Sequence, residues 1–273
     1  MAFLDSLFKE QEYVLSNGKT SIQPRSFGWL IAIIVIGLTA YFLNLTGFNI
    51  NTIFARGHQF WVLLGNMFPP NFNYTSNVWQ PLIDTIKMSF LGTVIGSLVA
   101  LPVAILSSTN IVQNKAIIFI TRLILSLVRT IPTLVIALIA VIVLGLGTTA
   151  GTITIAIFTF GFIGKLLYEQ IENVDMGAYE AMTALGCNKM RAFFEAIFPE
   201  VLPRYLSNIL FSFEGSIRNA AILGFVGAGG IGIIMNTELS FRNYPNVGMI
   251  LLLLFITVFV IETISRQIRK RLI

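Results

Sequence analysis

Long apolar stretches recur along the chain and constrain its fold more than any other feature. The run from Phe27 to Leu45 contains no charged residue and reaches the roughly 20 residues that a helix needs to cross a bilayer core. Five further apolar runs follow at Leu82–Leu106, Ala116–Leu146, Thr149–Leu167, Pro203–Phe225 and Val247–Ile264. Because lipid offers no hydrogen bonds to the backbone, such runs must be helical. The sequence therefore predicts an all-α membrane protein, a polytopic bundle of about six transmembrane helices.

The composition agrees with a membrane protein and excludes several other classes. Of the 273 residues 55% are hydrophobic and 11% are charged, whereas a soluble domain carries about 25% charged residues. The net charge of +5 does not indicate nucleic acid binding, because the basic residues lie beside the apolar runs and form no basic stripe. With Cys187 and His58 as the single cysteine and histidine, no metal or catalytic cluster is expected.

Within the runs, glycine and proline predict how the helices pack and bend. Gly92 and Gly96 stand at a small-xxx-small spacing, which permits close helix packing. Pro132 interrupts Ala116–Leu146 and predicts one broken or tilted helix. Between the first two runs, Thr46–Pro81 is expected to be a polar connection.

The charged segment from Glu180 to Pro199 interrupts the series of apolar runs. Its pattern predicts a helix, a joint at Gly186, and a second short helix that closes before Pro199. An extramembrane elbow of this kind offers a docking surface for a partner. On the residue pattern alone, an ordinary solvated loop is an equal alternative.

The basic residues predict the orientation of the bundle. Six spans place both termini on one side of the membrane, together with Glu180–Pro199. That side would hold thirteen basic residues, namely Lys9, Lys19, Arg25, Lys115, Arg122, Lys165, Lys189, Arg191, Arg204, Arg266, Arg269, Lys270 and Arg271. The opposite side would hold two, Arg56 and Arg242. Both termini and the charged segment are therefore expected in the cytoplasm, with residues 1–26 as a cytoplasmic N-terminal segment.

Arg129, Glu214 and Arg218 all lie within or near the apolar runs. Glu214 and Arg218 are four residues apart in the acid-first order that favours pairing along one helix face. Two arginines and one glutamate still leave one positive charge per subunit. Two interpretations stay open, structural pairing or a cationic pathway for an anion.

A glycine-rich run follows the fifth span and contains Gly224, Gly227, Gly229, Gly230 and Gly232. Three of these glycines match the dinucleotide-binding pattern G-x-G-x-x-G. That interpretation fails, because no soluble strand precedes the run and Leu252 stands where an acid is required. The glycines instead predict a turn or tight packing at the end of a span.

The charged segment resembles the EAA motif of ATP-binding cassette (ABC) importer permeases. Glu180, Ala181, Gly186 and Pro199 fit the motif, whereas Met182 replaces its third small residue. In that family the segment is the coupling helix, which sits in a cleft of a separate ATPase subunit. The resemblance implies a cytoplasmic coupling segment over residues 172–199 of a permease domain spanning 27–273.

Further stretches narrow the resemblance to the phosphonate-type branch of these permeases. The first two are Gly92-Thr93 through Leu101-Pro102 and Arg129-Thr130-Ile131-Pro132. The third begins at Ser212-Phe213-Glu214, includes Arg218 and continues into the glycine-rich run. The resemblance implies a second permease subunit, identical or related, two ABC ATPase subunits and an extracytoplasmic binding protein. It also implies a phosphonate or phosphite substrate. The chain would bind no cofactor itself, and ATP and magnesium would be bound by the ATPase.

Other functions remain open at this point. An importer permease for methionine or another small solute shares the EAA-like pattern. In an ion channel or secondary transporter, Arg129, Glu214 and Arg218 would form a relay, although the docking segment would then have no purpose. A membrane-embedded enzyme is disfavoured, since no cluster of His, Cys or acidic residues falls at membrane depth.

Overall fold

The computed structural model describes residues 12–14, 18, 20–22 and 28–272. The expectation for residues 1–26 falls largely outside them, and its described part is a two-stranded antiparallel hairpin. Strand β1 (Glu12–Val14) pairs with β2 (Thr20–Ile22), and Tyr13 lies opposite Ser21. By internal contacts the chain divides into two units, Met1–Val62 and Leu63–Ile273.

The first unit contains helix α1 (Gly28–Leu45) and most of helix α2 (Ile50–Asn66). The polar stretch Thr46–Pro81 contains α2 and the start of the next helix, and no helix was predicted there. The polar and apolar residues of α2 alternate with a helical period, so its mixed composition concealed an amphipathic helix.

The second unit is a helical bundle. Its helices are α3 (Thr75–Ser107), α4 (Lys115–Thr130), α5 (Thr133–Leu144), α6 (Thr148–Glu172), α7 (Gly177–Ala184), α8 (Lys189–Ala192), α9 (Phe198–Leu223), α10 (Ile231–Ser240) and α11 (Tyr244–Leu272). In the described part of the chain, four helices are long and apolar enough to cross a membrane. The count reaches six when the bent pairs α1–α2 and α4–α5 are each taken as one span. The predicted all-α membrane architecture is confirmed, and α10 is an element that the sequence did not predict.

Glycines allow α3 and α6 to approach closely. A Cβ atom on Gly92 would lie 2.7 Å from the Ile155 Cβ, and one on Gly96 would lie 2.4 Å from the Ala156 carbonyl oxygen. Real Cβ atoms do not come so near, so only glycine fits at both positions. The small-xxx-small prediction for α3 is therefore confirmed.

Pro132 breaks the third apolar run. Helix α4 ends at Thr130, α5 starts at Thr133, and their axes differ by 91°. The residue before a proline is pushed out of the helical region, and Ile131 accordingly has an extended conformation with φ −78° and ψ 124°. Of the two predicted forms, the broken helix is confirmed.

Candidate functional site

The turn at the centre of the charged segment is a glycine-capped helix end. Helix α7 ends at Ala184, Leu185 is its C-cap, and Gly186 follows with φ +85°. The Gly186 amide donates to the Thr183 carbonyl (3.1 Å), and the Cys187 amide donates to the Met182 carbonyl (3.0 Å). This pair of bonds is the Schellman pattern, which needs a left-handed residue at the Gly186 position. A Cβ atom on Gly186 would meet nothing within 4 Å. Glycine is therefore favoured here by the positive φ angle and not by a lack of space for a side chain.

Pro199 does not close the segment, and this prediction is wrong. The chain passes from α8 through a π-helical turn (Phe193–Ile197) directly into α9, whose first turn contains Pro199. Proline cannot donate to the carbonyl four residues earlier, here that of Glu195, and the widened turn accommodates this loss. The elbow is therefore joined rigidly to α9, and α9 begins at Phe198 instead of the expected Pro203.

The elbow formed by α7, Gly186 and α8 has one anchored face and one free face. Tyr179 and Phe193 are buried against Leu167 and Ile171 of α6, and burial raises the pKa of Tyr179. The opposite face exposes six motif or neighbouring residues, namely Glu180, Ala181, Leu185, Gly186, Met190 and Arg191. Leu185 is 90% exposed. Such a rigid elbow with an exposed apolar tip has the form of a docking element.

A polar cluster next to the elbow ties three helix ends together. The Arg122 guanidinium forms an ion pair with the Glu172 carboxylate, donates to the Ser107 carbonyl (2.9 Å), and stacks on the Tyr168 ring. Glu172 also accepts from the backbone amide of Thr109 (2.7 Å). This cluster was not predicted from the sequence, in which the opposite charges of Arg122 and Glu172 at two span ends were the available signal.

The intramembrane charges pair differently from the prediction. Glu214 is 4% exposed, and its carboxylate lies 3.0 Å from the Arg269 guanidinium near the end of α11. Arg218 is exposed and, like the exposed Arg129, contacts no acidic side chain among the described residues. Pairing of Glu214 with Arg218, one of the two interpretations left open, is therefore not seen. Spacing along α9 suggested that pair, but the carboxylate turns toward α11.

A small cavity lies next to the break at Pro132. It has a volume of about 270 Å³ and lies between the start of α5 and the end of α9. Its lining residues are Pro132, Thr133, Leu134, Asn219, Ile222 and Leu223. In the sequence, Arg218 directly precedes the lining residue Asn219, and Arg129 lies three residues before Pro132.

The glycine-rich run forms a tight turn between α9 and α10. Gly227, Gly229 and Gly230 have φ values of +80°, +88° and +71°. A Cβ atom on Gly224 would lie 2.2 Å from the Gly232 Cα, so these two glycines pack directly on each other. The Ile231 amide donates to the Thr85 hydroxyl of α3 (2.8 Å). The run has the structural role that its position predicted, a turn and close packing after a span.

A second polar cluster fixes the other end of the bundle. Glu238 of α10 accepts from the Tyr74 hydroxyl (2.8 Å) and the Asn246 amide (3.0 Å), and Asn71 donates to Asn246 (2.8 Å). Burial acts to raise the pKa of Glu238, but hydrogen bonds from Asn246, Tyr74 and Asn243 outweigh it and lower that pKa. This cluster joins the start of α3, the end of α10 and the start of α11. Within the described residues no group of side chains is arranged to hold a metal ion.

Comparisons with known proteins agree with this architecture. Residues 92–272 match the family described as binding-protein-dependent transport system inner membrane component. The phosphite transport system permease protein PtxC of Stutzerimonas stutzeri is 32% identical over 76% of this chain and 76% of its own length. The phosphate-import permease protein PhnE of Mycolicibacterium smegmatis is 33% identical over 76% of this chain, and the match spans 39% of that relative.

A solved structure has the same fold. The inward-facing MetNI methionine ABC transporter superposes with a TM-score of 0.66 at 21% identity, covering 74% of this chain and 99% of that chain. Subunits of this kind carry out transport and are not enzymes. The chain belongs to the binding-protein-dependent transport system inner membrane component family and is a multi-pass inner membrane permease subunit of an ABC importer.

Proposed function

We propose that this permease carries a phosphorus oxyanion such as a phosphonate, phosphite or phosphate. The names of two relatives above 30% identity support this substrate class. The methionine transporter shares the fold alone, since its identity is 21%, and adds no argument about the substrate.

The observation that carries the proposal is the pairing of Glu214 with Arg269. It leaves Arg129 and Arg218 exposed and without an acidic neighbour among the described residues. Inserting a charged side chain into a membrane span costs at least about 2.5 kcal/mol on insertion scales. Unpaired charges at such positions are therefore candidates for a functional role. A guanidinium binds the oxygens of a phosphorus oxyanion in a bidentate manner, and these two arginines would lower the barrier to its passage.

The elbow formed by α7, Gly186 and α8 couples transport to ATP in this proposal. Glu180, Ala181, Gly186 and Pro199 belong to the segment that an ABC ATPase subunit would contact. Two ATPase subunits bind ATP and magnesium, while this chain binds no cofactor. The bias of thirteen basic residues against two supports a cytoplasmic position for the elbow and both termini.

Two permease subunits, identical or related, would enclose the pathway. An extracytoplasmic binding protein would deliver the oxyanion, and this partner is in keeping with the family description. Closure of the ATPases on ATP would draw the two elbows together and turn the pathway outward, and hydrolysis would return it to the inward-facing form.

The proposal is tested by uptake into vesicles that contain this permease with its ATPase and binding protein. Labelled methylphosphonate, phosphite, phosphate and methionine are supplied singly, and each oxyanion is also tested with unlabelled methionine as a competitor. We expect ATP-dependent uptake of at least one oxyanion and no competition by methionine. Uptake of methionine without any oxyanion would refute the substrate class, and oxyanion flux that needs no ATP would indicate a channel or secondary transporter.

A further inference from the structure

Helix α2 connects α1 to α3, and its composition prevents it from crossing the bilayer. It carries Arg56, His58 and Gln59 near its middle, and none of its residues is buried. Placing the Arg56 charge at the centre of a bilayer would cost at least about 2.5 kcal/mol. Helix α1, in contrast, has no charged residue, and its 18 residues fall within the range of about 17 to 25 that a bilayer-spanning helix needs.

The residues of α2 divide into two faces. One face is apolar, with Ile50, Ile53, Phe54, Gly57, Phe60, Trp61 and Leu64 at helical spacing. All of these are exposed except Gly57 and Leu64, which are partly buried. Three of its side chains are large aromatic rings: Phe54, Phe60 and Trp61 are 81%, 58% and 69% exposed. The opposite face carries Asn51, His58 and Gln59. Aromatic residues on the apolar face of an amphipathic helix are typical of helices that lie in the membrane–water interface.

The chain makes a defined turn before α2 and defined contacts after it. At its start, Gly47 turns the chain with φ +64° and Asn49 caps the helix, so that α2 is bent by 66° from the axis of α1. At its end, the buried Met67 packs against Gly248 in the second turn of α11. The Asn71 amide then donates to the Pro245 carbonyl (3.1 Å), where α11 begins.

We infer that α2 lies in the plane of the bilayer, at the surface that α1 reaches after crossing it. Phe54, Phe60 and Trp61 enter the boundary between headgroups and acyl chains, while His58 and Gln59 face water. The lipid bilayer is thus the partner of this apolar face. In the proposed orientation this surface is extracytoplasmic, but the inference depends neither on the orientation nor on the transported substrate.

Depth-dependent fluorescence quenching tests this inference on the full chain. Trp29→Phe and Trp79→Phe leave Trp61 as the single tryptophan. The variant is reconstituted in phosphatidylcholine vesicles that carry bromine either near the headgroup or near the chain end. We expect blue-shifted emission from Trp61. Bromine near the headgroup should quench this emission several-fold more strongly than bromine near the chain end. In a matched control, Trp61→Phe with Gln59→Trp moves the indole to the polar face, where aqueous iodide should quench it and bromine should not.

Each other result would overturn the inference. Strongest quenching of Trp61 by the deep bromine would mean that α2 enters the bilayer core. Protection of Trp61 from both bromine and iodide would mean that another protein surface covers the face. A nitroxide attached at Phe54→Cys, in a Cys187→Ser background that keeps all three tryptophans, gives an independent depth from collisions with oxygen and with a water-soluble nickel complex.

Discussion

Glu214 and Arg269 form an ion pair between the middle of α9 and the last turns of α11. The Arg269 Nη2 atom lies 3.0 Å from the Glu214 Oε1 atom, and the Arg269 guanidinium also lies over the Phe211 ring at 5.8 Å from its centroid. The Glu214 oxygen has no hydrogen bond of ordinary geometry, so the contact is chiefly electrostatic. This pair links the C-terminal helix to the helix that continues from the elbow.

Breaking this pair from either side should destabilise the permease. Arg269→Gln leaves the buried Glu214 carboxylate without its cation, which costs about 3 kcal/mol for a buried pair. We expect less folded protein and a lower unfolding temperature in detergent. Adding Glu214→Gln should restore both, because the second change removes the uncompensated charge.

The matched control is Arg266→Gln. Arg266 pairs with Glu262 on the exposed side of α11, where such a pair contributes about 0.5 kcal/mol. Folding of this variant should remain near that of the unchanged protein. If Glu214→Gln rescued Arg218→Gln and failed to rescue Arg269→Gln, the pairing described here would be incorrect.

The two exposed arginines should affect transport without affecting folding. Arg129→Gln and Arg218→Gln remove charges that no acidic side chain among the described residues balances. We expect normal abundance and normal binding of the ATPase, together with a rise in the KM for oxyanion uptake of about tenfold, as for loss of one charge-assisted contact. Unchanged uptake by either variant would show that the substituted arginine does not contribute to the pathway.

The elements that could be predicted from sequence are those with a local signal. Six apolar runs, the glycine spacing at Gly92 and Gly96, and the break at Pro132 depend on neighbouring residues within one helix, and all were confirmed. Helix α2 was not predicted because its apolar residues are interleaved with polar ones. The short helix α10 follows a glycine-rich turn, where glycine lowers helix propensity and conceals the helix that begins beyond it.

The pairing of side chains between helices could not be predicted. Glu214 and Arg218 satisfy the spacing rule for pairs within one helix. The rule says nothing about which side chains of another helix come close to them. The bundle places Arg269 beside Glu214, fifty-five positions away in the sequence. In the same way, the clusters around Glu172 and Glu238 join residues from separate elements, and only packing brings them together.

Cysteine labelling tests the proposed orientation. In a Cys187→Ser background, Asn73→Cys and Lys189→Cys place single thiols at exposed positions beside α3 and within the elbow. A membrane-impermeant maleimide added to intact cells should label the first and spare the second. After the cells are opened, both should react. Labelling of Lys189→Cys alone in intact cells would reverse the orientation and remove the elbow from reach of a cytoplasmic ATPase.

Gly186 should be required for coupling, because of its backbone angle. At φ +85° an L-residue other than glycine is strained by about 1 kcal/mol, and the open space around Gly186 means that side-chain size adds nothing. Gly186→Ala and Gly186→Leu should therefore behave alike. Both should reach the membrane in normal amounts, while oxyanion uptake and transport-stimulated ATP hydrolysis fall together, since the elbow loses the geometry that an ATPase cleft would fit.

The control for this prediction lies in the same segment. Gly177 begins α7 without a positive φ, and a Cβ atom there would make only an ordinary contact, 3.4 Å from an Asp175 carboxylate oxygen. Gly177→Ala should therefore leave uptake unchanged. If Gly186→Ala transported normally and Gly186→Leu did not, steric exclusion by a docked partner would be the requirement at Gly186, and the backbone angle would not.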